Sequence, residues 1–222
     1  MMHRRLEQLF GSREATRRPH RSSVVREGYD ARLNHVLETA AVLMAKDGYE
    51  RASMRAVAKA AGVSLAGLYH YFDSKEQMLF LVQFRTFNSL LNLLQEKLHA
   101  VNDPLEQLRI MVHTHVSYFA ANMAALKVCS HELDSLSGEG YQETNRIRRA
   151  YYDITRSIVD RVLDAHGTDK KLDRHVATMS LFGMLNWLYR WYTPKRGCSP
   201  TTIANQLTSQ FVHGLLGPND EA

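Results

Sequence analysis

Cysteine is scarce in this chain of 222 residues: only Cys129 and Cys198 occur, with no paired spacing. That excludes a disulfide framework or a zinc knuckle. No run of eighteen apolar residues is present, so no helical membrane span is expected. The first thirty residues are basic and lack an apolar core segment, which argues against a secretory signal. Strand-like alternation, internal repeats and low-complexity segments are likewise missing. So is a recognisable catalytic or metal constellation. His113, His115, His131, Glu132 and His175 could be assembled on paper, but their spacing fits no motif of the His-Glu-x-x-His kind. Cys129 and His131 stand two residues apart, which on a helix points them to different faces. No catalytic residue, metal ligand or cofactor is expected, and a reducing cytoplasm is the natural setting.

What is there is helix, and positive charge in one place. Residues 1–75 carry thirteen Lys and Arg against eight Asp and Glu, while the rest of the chain is neutral. Such a lopsided excess suits a segment that displaces counterions from phosphate. Residues 1–29 read as a basic flexible arm: the first 26 hold seven arginines, two glutamates and Pro19. The arm either follows phosphates or is a plain extension.

Residues 53–76 carry the sharpest pattern. Met54, Val57, Ala58 and Ala61 fall at i, i+3, i+4 and i+7, one apolar face of a helix. Ser53 precedes that run as an N-cap and Gly62 follows it as a helix end. Ser64 then caps a second helix with Leu65, Leu68 and Phe72 inward. Two helices joined by a short glycine turn form a helix-turn-helix, whose second helix enters the DNA major groove. The alternative is a plain helical hairpin whose aromatics merely pack. The expected DNA face is Ser53, Arg55, Ser64, Leu65, Ala66, Gly67, Tyr69, His70, Tyr71 and Lys75. Tyr hydroxyls and a Lys ammonium are phosphate partners that fix register. Leu65, Ala66 and Gly67 would read bases only by methyl contact and close approach.

From Arg32 to Leu79 the chain resembles the DNA-binding domain of tetracycline-repressor-like (TetR) regulators. The matching parts are Gly48-Tyr49, Ala52 to Ala58, the turn Ala61-Gly62-Val63-Ser64, the block Leu68-Tyr69-His70-Tyr71-Phe72, and Ser74-Lys75-Glu76. Leu65-Ala66-Gly67 stand where many members carry a polar or basic residue.

The rest reads as more helix: about 30–46 before the motif, then 74–100, 104–121, 123–134, 141–166, 169–192 and 200–216, about nine in all. Pro104 suits the first turn of its helix. The expected architecture is all-α, with a helix-turn-helix domain over residues 30–76 and a helical ligand-binding and dimerisation domain over residues 77–218. Helix-turn-helix modules work as dimers on two-fold sites, and the last two helices carry more apolar residues than one face needs. Leu181, Leu185, Leu188, Leu207, Phe211 and Leu215 are the expected interface; the alternative is that they are intramolecular core. The resemblance implies the same pairing, through a four-helix bundle.

A ligand cavity is suggested by methionine and aromatic residues, which line adaptable apolar pockets. The set is Met111, His115, Tyr118, Phe119, Met123 and Tyr151, joined by Phe182, Asn186, Trp187 and Arg190. One helix over 182–192 would put Asn186 and Arg190 a turn apart on one face, beside Trp187 and Trp191. The alternative is ordinary core, with Arg190 snorkelling. The Asn-Trp-x-x-Arg-Trp-Tyr run resembles TetR-like regulators of lipid and steroid catabolism that respond to acyl-CoA thioesters. That likeness implies a fatty-acyl-CoA or related thioester, with Arg190 first among Arg146, Arg148, Arg149 and Arg156 as cations for the CoA phosphates. The sequence thus reads as a dimeric repressor of palindromic operator DNA released by a small apolar effector. The alternative is a drug-sensing repressor of an efflux pump, whose planar cationic ligands favour buried carboxylates.

Overall fold

The computed structural model describes residues 21–167, 172–194 and 197–216. Among these the chain is all helix and turn, with no strand. In chain order the helices are α1 (Arg21–Asp47), α2 (Met54–Ala60), α3 (Leu65–Tyr71), α4 (Lys75–Leu98), α5 (Pro104–Ala121), α6 (Met123–His131), α7 (Gly138–Ala165), α8 (Arg174–Asn186), the four-residue α9 (Leu188–Trp191) and α10 (Pro200–Leu216).

Local chemistry sets most ends. The Ser53, Ser64 and Ser74 hydroxyls each accept a hydrogen bond from the N–H three residues on, at 3.0–3.1 Å, and so cap α2, α3 and α4. The Asp103 carboxylate does the same for α5 at 2.8 Å, with Pro104 in the first turn where no N–H is needed. Asp173 accepts from Val176 and His175 at the start of α8, and those bonds hold its carboxyl below the usual carboxylate range. Gly62 closes α2 at φ +67. Val63 N–H reaches Ala58 O at 3.0 Å and Gly62 N–H reaches Lys59 O at 3.3 Å, the paired bonds of a Schellman end.

Two expected boundaries move. The first helix begins at Arg21 rather than Asp30. Residues 1–20 of the expected basic arm lie outside the described residues, but 21–29 continue α1. Between Pro19 and Asp47 no proline interrupts the chain, and once nucleated a helix propagates at little cost. The helix expected over 169–192 instead ends at Asn186 and resumes as α9. At Trp187 the ladder tightens, with Arg190 N–H on Trp187 O at 3.0 Å. This last turn is tied elsewhere: Tyr189 Oη meets His131 Nε2 of α6 at 2.7 Å.

The packing is continuous from the helix-turn-helix to the body. Val36, Leu37 and Met44 of α1 enclose Val57, Leu68 and Phe72, all essentially without exposure. α4 starts in this small core and ends in the large one, with Leu79, Leu90 and Leu94 fully buried. α10 lies along α5, α7 along α4 and α5, and α6 against α1.

The expected dimer face needs correction. Leu181, Leu185 and Leu188 have no exposure at all, Phe211 and Leu215 are buried, and Leu207 is half-buried. They fill the intramolecular core, where α8 and α10 close over α5. The apolar residues left outside on α8 and α9 are different ones: Val176, Met179, Trp187 and Trp191.

Candidate functional site

The helix-turn-helix presents a compact surface. Leu68 and Phe72 anchor α3 inward with no exposure. On the other side stand exposed Arg55, Lys59, Ala66 and His70, and Tyr69 at 49%. Leu65 and Gly67 are half-buried. Gly67 lacks a side chain for a local reason: a Cβ there would come within 3.1 Å of Ser64 Oγ, the capping atom. The same bareness lets a backbone approach α3 closely.

Four residues of the expected DNA face are committed within the fold. Ser53 and Ser64 use their hydroxyls as caps. Tyr71 is half-buried, with its ring 5.0 Å from that of Tyr29 on α1. Lys75 turns back to the end of α1, donating to Tyr49 O at 3.2 Å and Glu50 O at 3.1 Å, over the Tyr49 ring. It therefore staples α4 to α1 rather than standing free. Tyr69, His70 and Arg55 remain outward.

The body holds two adjoining cavities. The first, about 260 Å³, is lined by His115, Asn145, Arg148, Arg149, Tyr151, Tyr152, Phe182 and Asn186, among others. The second, about 350 Å³, is lined by Phe119, Leu126, Cys129, Ser130, His131, Gly183, Trp187 and Tyr189. Phe87, Arg148, Met179, Phe182 and Asn186 border both. Asn145, Arg148, Arg149 and Tyr152 fall at i, i+3, i+4 and i+7 on α7, a polar stripe that helical spacing alone could have shown. Phe87 of α4 gave no such signal.

Electrostatics divides this space. His115 is 2% exposed and its imidazole pKa is pushed down to about 3 by burial, against a smaller opposite pull from Asn186. Its Nδ1 lies 3.2 Å from Tyr151 Oη, while Nε2 is buried with no hydrogen bond among the described residues. Burial also raises the Tyr151 phenol and pushes the Cys129 thiol up to about 12, so both stay protonated. Arg148, half-buried, donates to Cys129 O at 2.7 Å and lies over the Phe87 ring at 5.0 Å. Burial lowers its pKa, but a guanidinium keeps its charge. Arg149 pairs with Asp153 at 2.8 Å on the exposed side.

Of the expected ligand residues, His115, Tyr151, Phe182 and Asn186 share the first cavity, and Phe119 and Trp187 join the second. Tyr118 and Met123 line a separate cavity of about 500 Å³ between α1, α4, α5 and α6. Met111 is fully buried in the core and lines none of the three. Arg190 also lines none. It is exposed, 5.6 Å over the Trp187 ring, because the break at Trp187 separates it from the face of Asn186. The cations at the cavity are Arg148 and Arg149. Arg146 pairs with Glu143, and Arg156 with Asp160. Three histidines considered as metal ligands have scattered partners instead: His113 meets Asn205, His131 meets Tyr189 and His175 meets Tyr152.

One helix joins the cavities to the helix-turn-helix. Leu126, Cys129, Ser130 and His131 of α6 face the second cavity. From the same helix Lys127 Nζ donates to Ala45 O near the end of α1. Glu132, its C-cap, accepts from Tyr49 N–H at 3.2 Å, and its carbonyl accepts from Gln83 of α4 at 2.9 Å. Sequence offered no signal for these bonds, which span 49 to 83 residues.

Known proteins share this arrangement. Residues 36–82 match the family described as "Bacterial regulatory proteins, tetR family". Residues 101–215 match "Tetracyclin repressor-like, C-terminal domain". The chain is 24% identical over 194 residues to the HTH-type transcriptional repressor KstR2 of Rhodococcus jostii, covering 87% of this chain and 95% of that one. It is 22% identical over 181 residues to the fatty acid metabolism regulator protein of Bacillus subtilis, covering 81% and 93%. Among solved structures, AibR in complex with isovaleryl coenzyme A and operator DNA overlays with a TM-score of 0.71 at 26% identity, covering 84% of this chain and 99% of AibR.

Proposed function

The chain belongs to the TetR family of bacterial regulators, and from that premise we propose that it is a transcriptional repressor that binds operator DNA as a dimer and is released by an acyl-CoA thioester. The observation that carries the effector reading is the divided cavity. Its apolar part around Phe119, Leu126 and Phe182 suits an acyl chain, and Arg148 and Arg149 supply cations for the phosphates of CoA. The two cavities share five lining residues and together offer space within the ordinary range of ligand pockets. AibR, whose structure holds isovaleryl coenzyme A, supports the same class. No carboxylate lines either cavity. A planar drug cation would find no counter-charge there; Glu38 lines the separate cavity of about 500 Å³ beside α1.

Tyr69, His70 and Arg55 supply the outward polar groups for phosphate and groove contacts. Two copies pair through the outer face of α8 and the Trp187 that caps it, where Val176, Met179 and Trp187 stand 49–57% exposed. Pairing sets the two α3 helices against adjacent major grooves, roughly 34–36 Å apart. A ligand weakens DNA binding only by preferring a conformation with the wrong spacing. Filling the second cavity presses on α6, and α6 holds α1 and α4 through Lys127, Glu132 and Gln83.

Fluorescence anisotropy on labelled duplex from the chain's own upstream region tests this reading. Specific binding released by isovaleryl-CoA or a longer acyl-CoA, and not by free CoA or free fatty acid, is the expected outcome. Binding that every thioester leaves untouched would retain the regulator and discard the effector class.

A further inference from the structure

We infer that His115 and Tyr151 form a carbonyl reader, in which the His115 Nε2–H donates to the thioester oxygen of the acyl-CoA. The inference rests on the effector reading above and assigns a specific atom to it. It starts from the buried His115 Nε2, which has no hydrogen bond among the described residues. A stranded buried polar group costs about 1–3 kcal/mol, so such an atom in a cavity wall calls for a partner.

The ring nitrogens can be told apart. The imidazole is neutral, so one nitrogen donates and the other accepts. Tyr151 Oη lies 3.2 Å from Nδ1, its only hydrogen bond among the described residues, and the phenol keeps its proton. If Nδ1 carried the ring proton, the Tyr151 O–H would be a stranded donor and Nε2 a stranded acceptor, two unmet groups in place of one. With Tyr151 donating to Nδ1, the ring proton sits on Nε2 and the chain presents a single free donor. Phe119 at 4.7 Å and Phe182 at 6.4 Å between centroids flank the ring, and the Asn186 amide is its remaining polar neighbour in the cavity wall.

The position fits a carbonyl and disfavours a carboxylate. Neutral His115 offers one donor and no charge, and a buried anion beside it would lack compensation. The cations, Arg148 and Arg149, belong to the wall of the first cavity that continues past Tyr152 and Asn145. Asn186 and Phe182 mark where the two cavities meet. A thioester occupies the same place in its ligand, between an apolar chain and a charged carrier.

Isothermal titration of the full chain with isovaleryl-CoA and with the S-isopentyl-CoA thioether, which lacks only the carbonyl oxygen, tests the assignment. The wild-type chain should bind the thioether about tenfold more weakly. His115→Leu should bind both alike, and His115→Gln, which restores an N–H donor, should recover part of the preference. The wild-type comparison needs no variant to fold. Equal wild-type affinity for the two ligands would overturn the carbonyl reader and leave the acyl-CoA reading standing. Binding of neither, even with longer acyl chains, would remove both.

Discussion

His115 gives the chain a pH dependence that can be traced to one residue. Its folded pKa, about 3, lies below the ordinary histidine value of 6.5, so between those limits the unfolded chain binds the proton and the folded one does not. Stability from this site is therefore complete above about pH 6.5 and falls by up to about 1.4 kcal/mol for each unit of acidification within that window. Thermal unfolding from pH 7.5 to 4.5 should show the fall in the wild-type chain and a shallower one in His115→Leu. Backbone handedness gives a second test. Gly62 turns at φ +67 and Ala100 at φ +67, but only the first is a glycine. Gly62→Ala should destabilise by about 1 kcal/mol and Ala100→Gly should stabilise by up to about 1, measured by urea unfolding. The caps, Gly62 and the inward Leu68 and Phe72 were legible in the sequence because each follows from neighbours within a few positions. Arg190 was not. Its placement depends on the break at Trp187, beside the contact of Tyr189 with His131, 58 residues away.

At the scale of elements, the proposed mechanism makes α6 the transmitting part. One side borders the cavity and the other bonds to α1, so a rigid nine-residue helix has little freedom to absorb a push. Replacing Lys127 by Met together with Glu132 by Ala should leave acyl-CoA binding to the free protein intact. The same variant should shrink the effect of acyl-CoA on operator affinity from the usual five- to 150-fold toward unity, read by anisotropy with and without effector. Helix periods were visible along the sequence, yet α8 was misjudged in its facing. It carries apolar residues nearly all round, so counting them could not tell Leu181 and Leu185, which point inward, from Val176 and Met179, which do not. Tertiary packing made that choice. The start of α1 at Arg21 escaped for the opposite reason, since six of residues 21–28 are charged, serine or glycine.

The whole molecule is asymmetric in charge, with the full excess of +5 residing in residues 1–75. The body is neutral and can pair with a second copy without electrostatic penalty. Val176→Glu sets a charge into the exposed apolar face of α8 without touching either cavity. It should give monomers in sedimentation velocity, and operator affinity should collapse to that of a single half-site. The bonds between α6 and α1 also have no preferred direction. If the thioester loosens the grip on DNA, operator DNA must loosen the grip on the thioester by the same factor. Every occupied operator is thus an antagonist of the cavity, and protein already seated on DNA is the last to notice a rising thioester. The free pool fills first, and the number of operators becomes part of the dose needed for release.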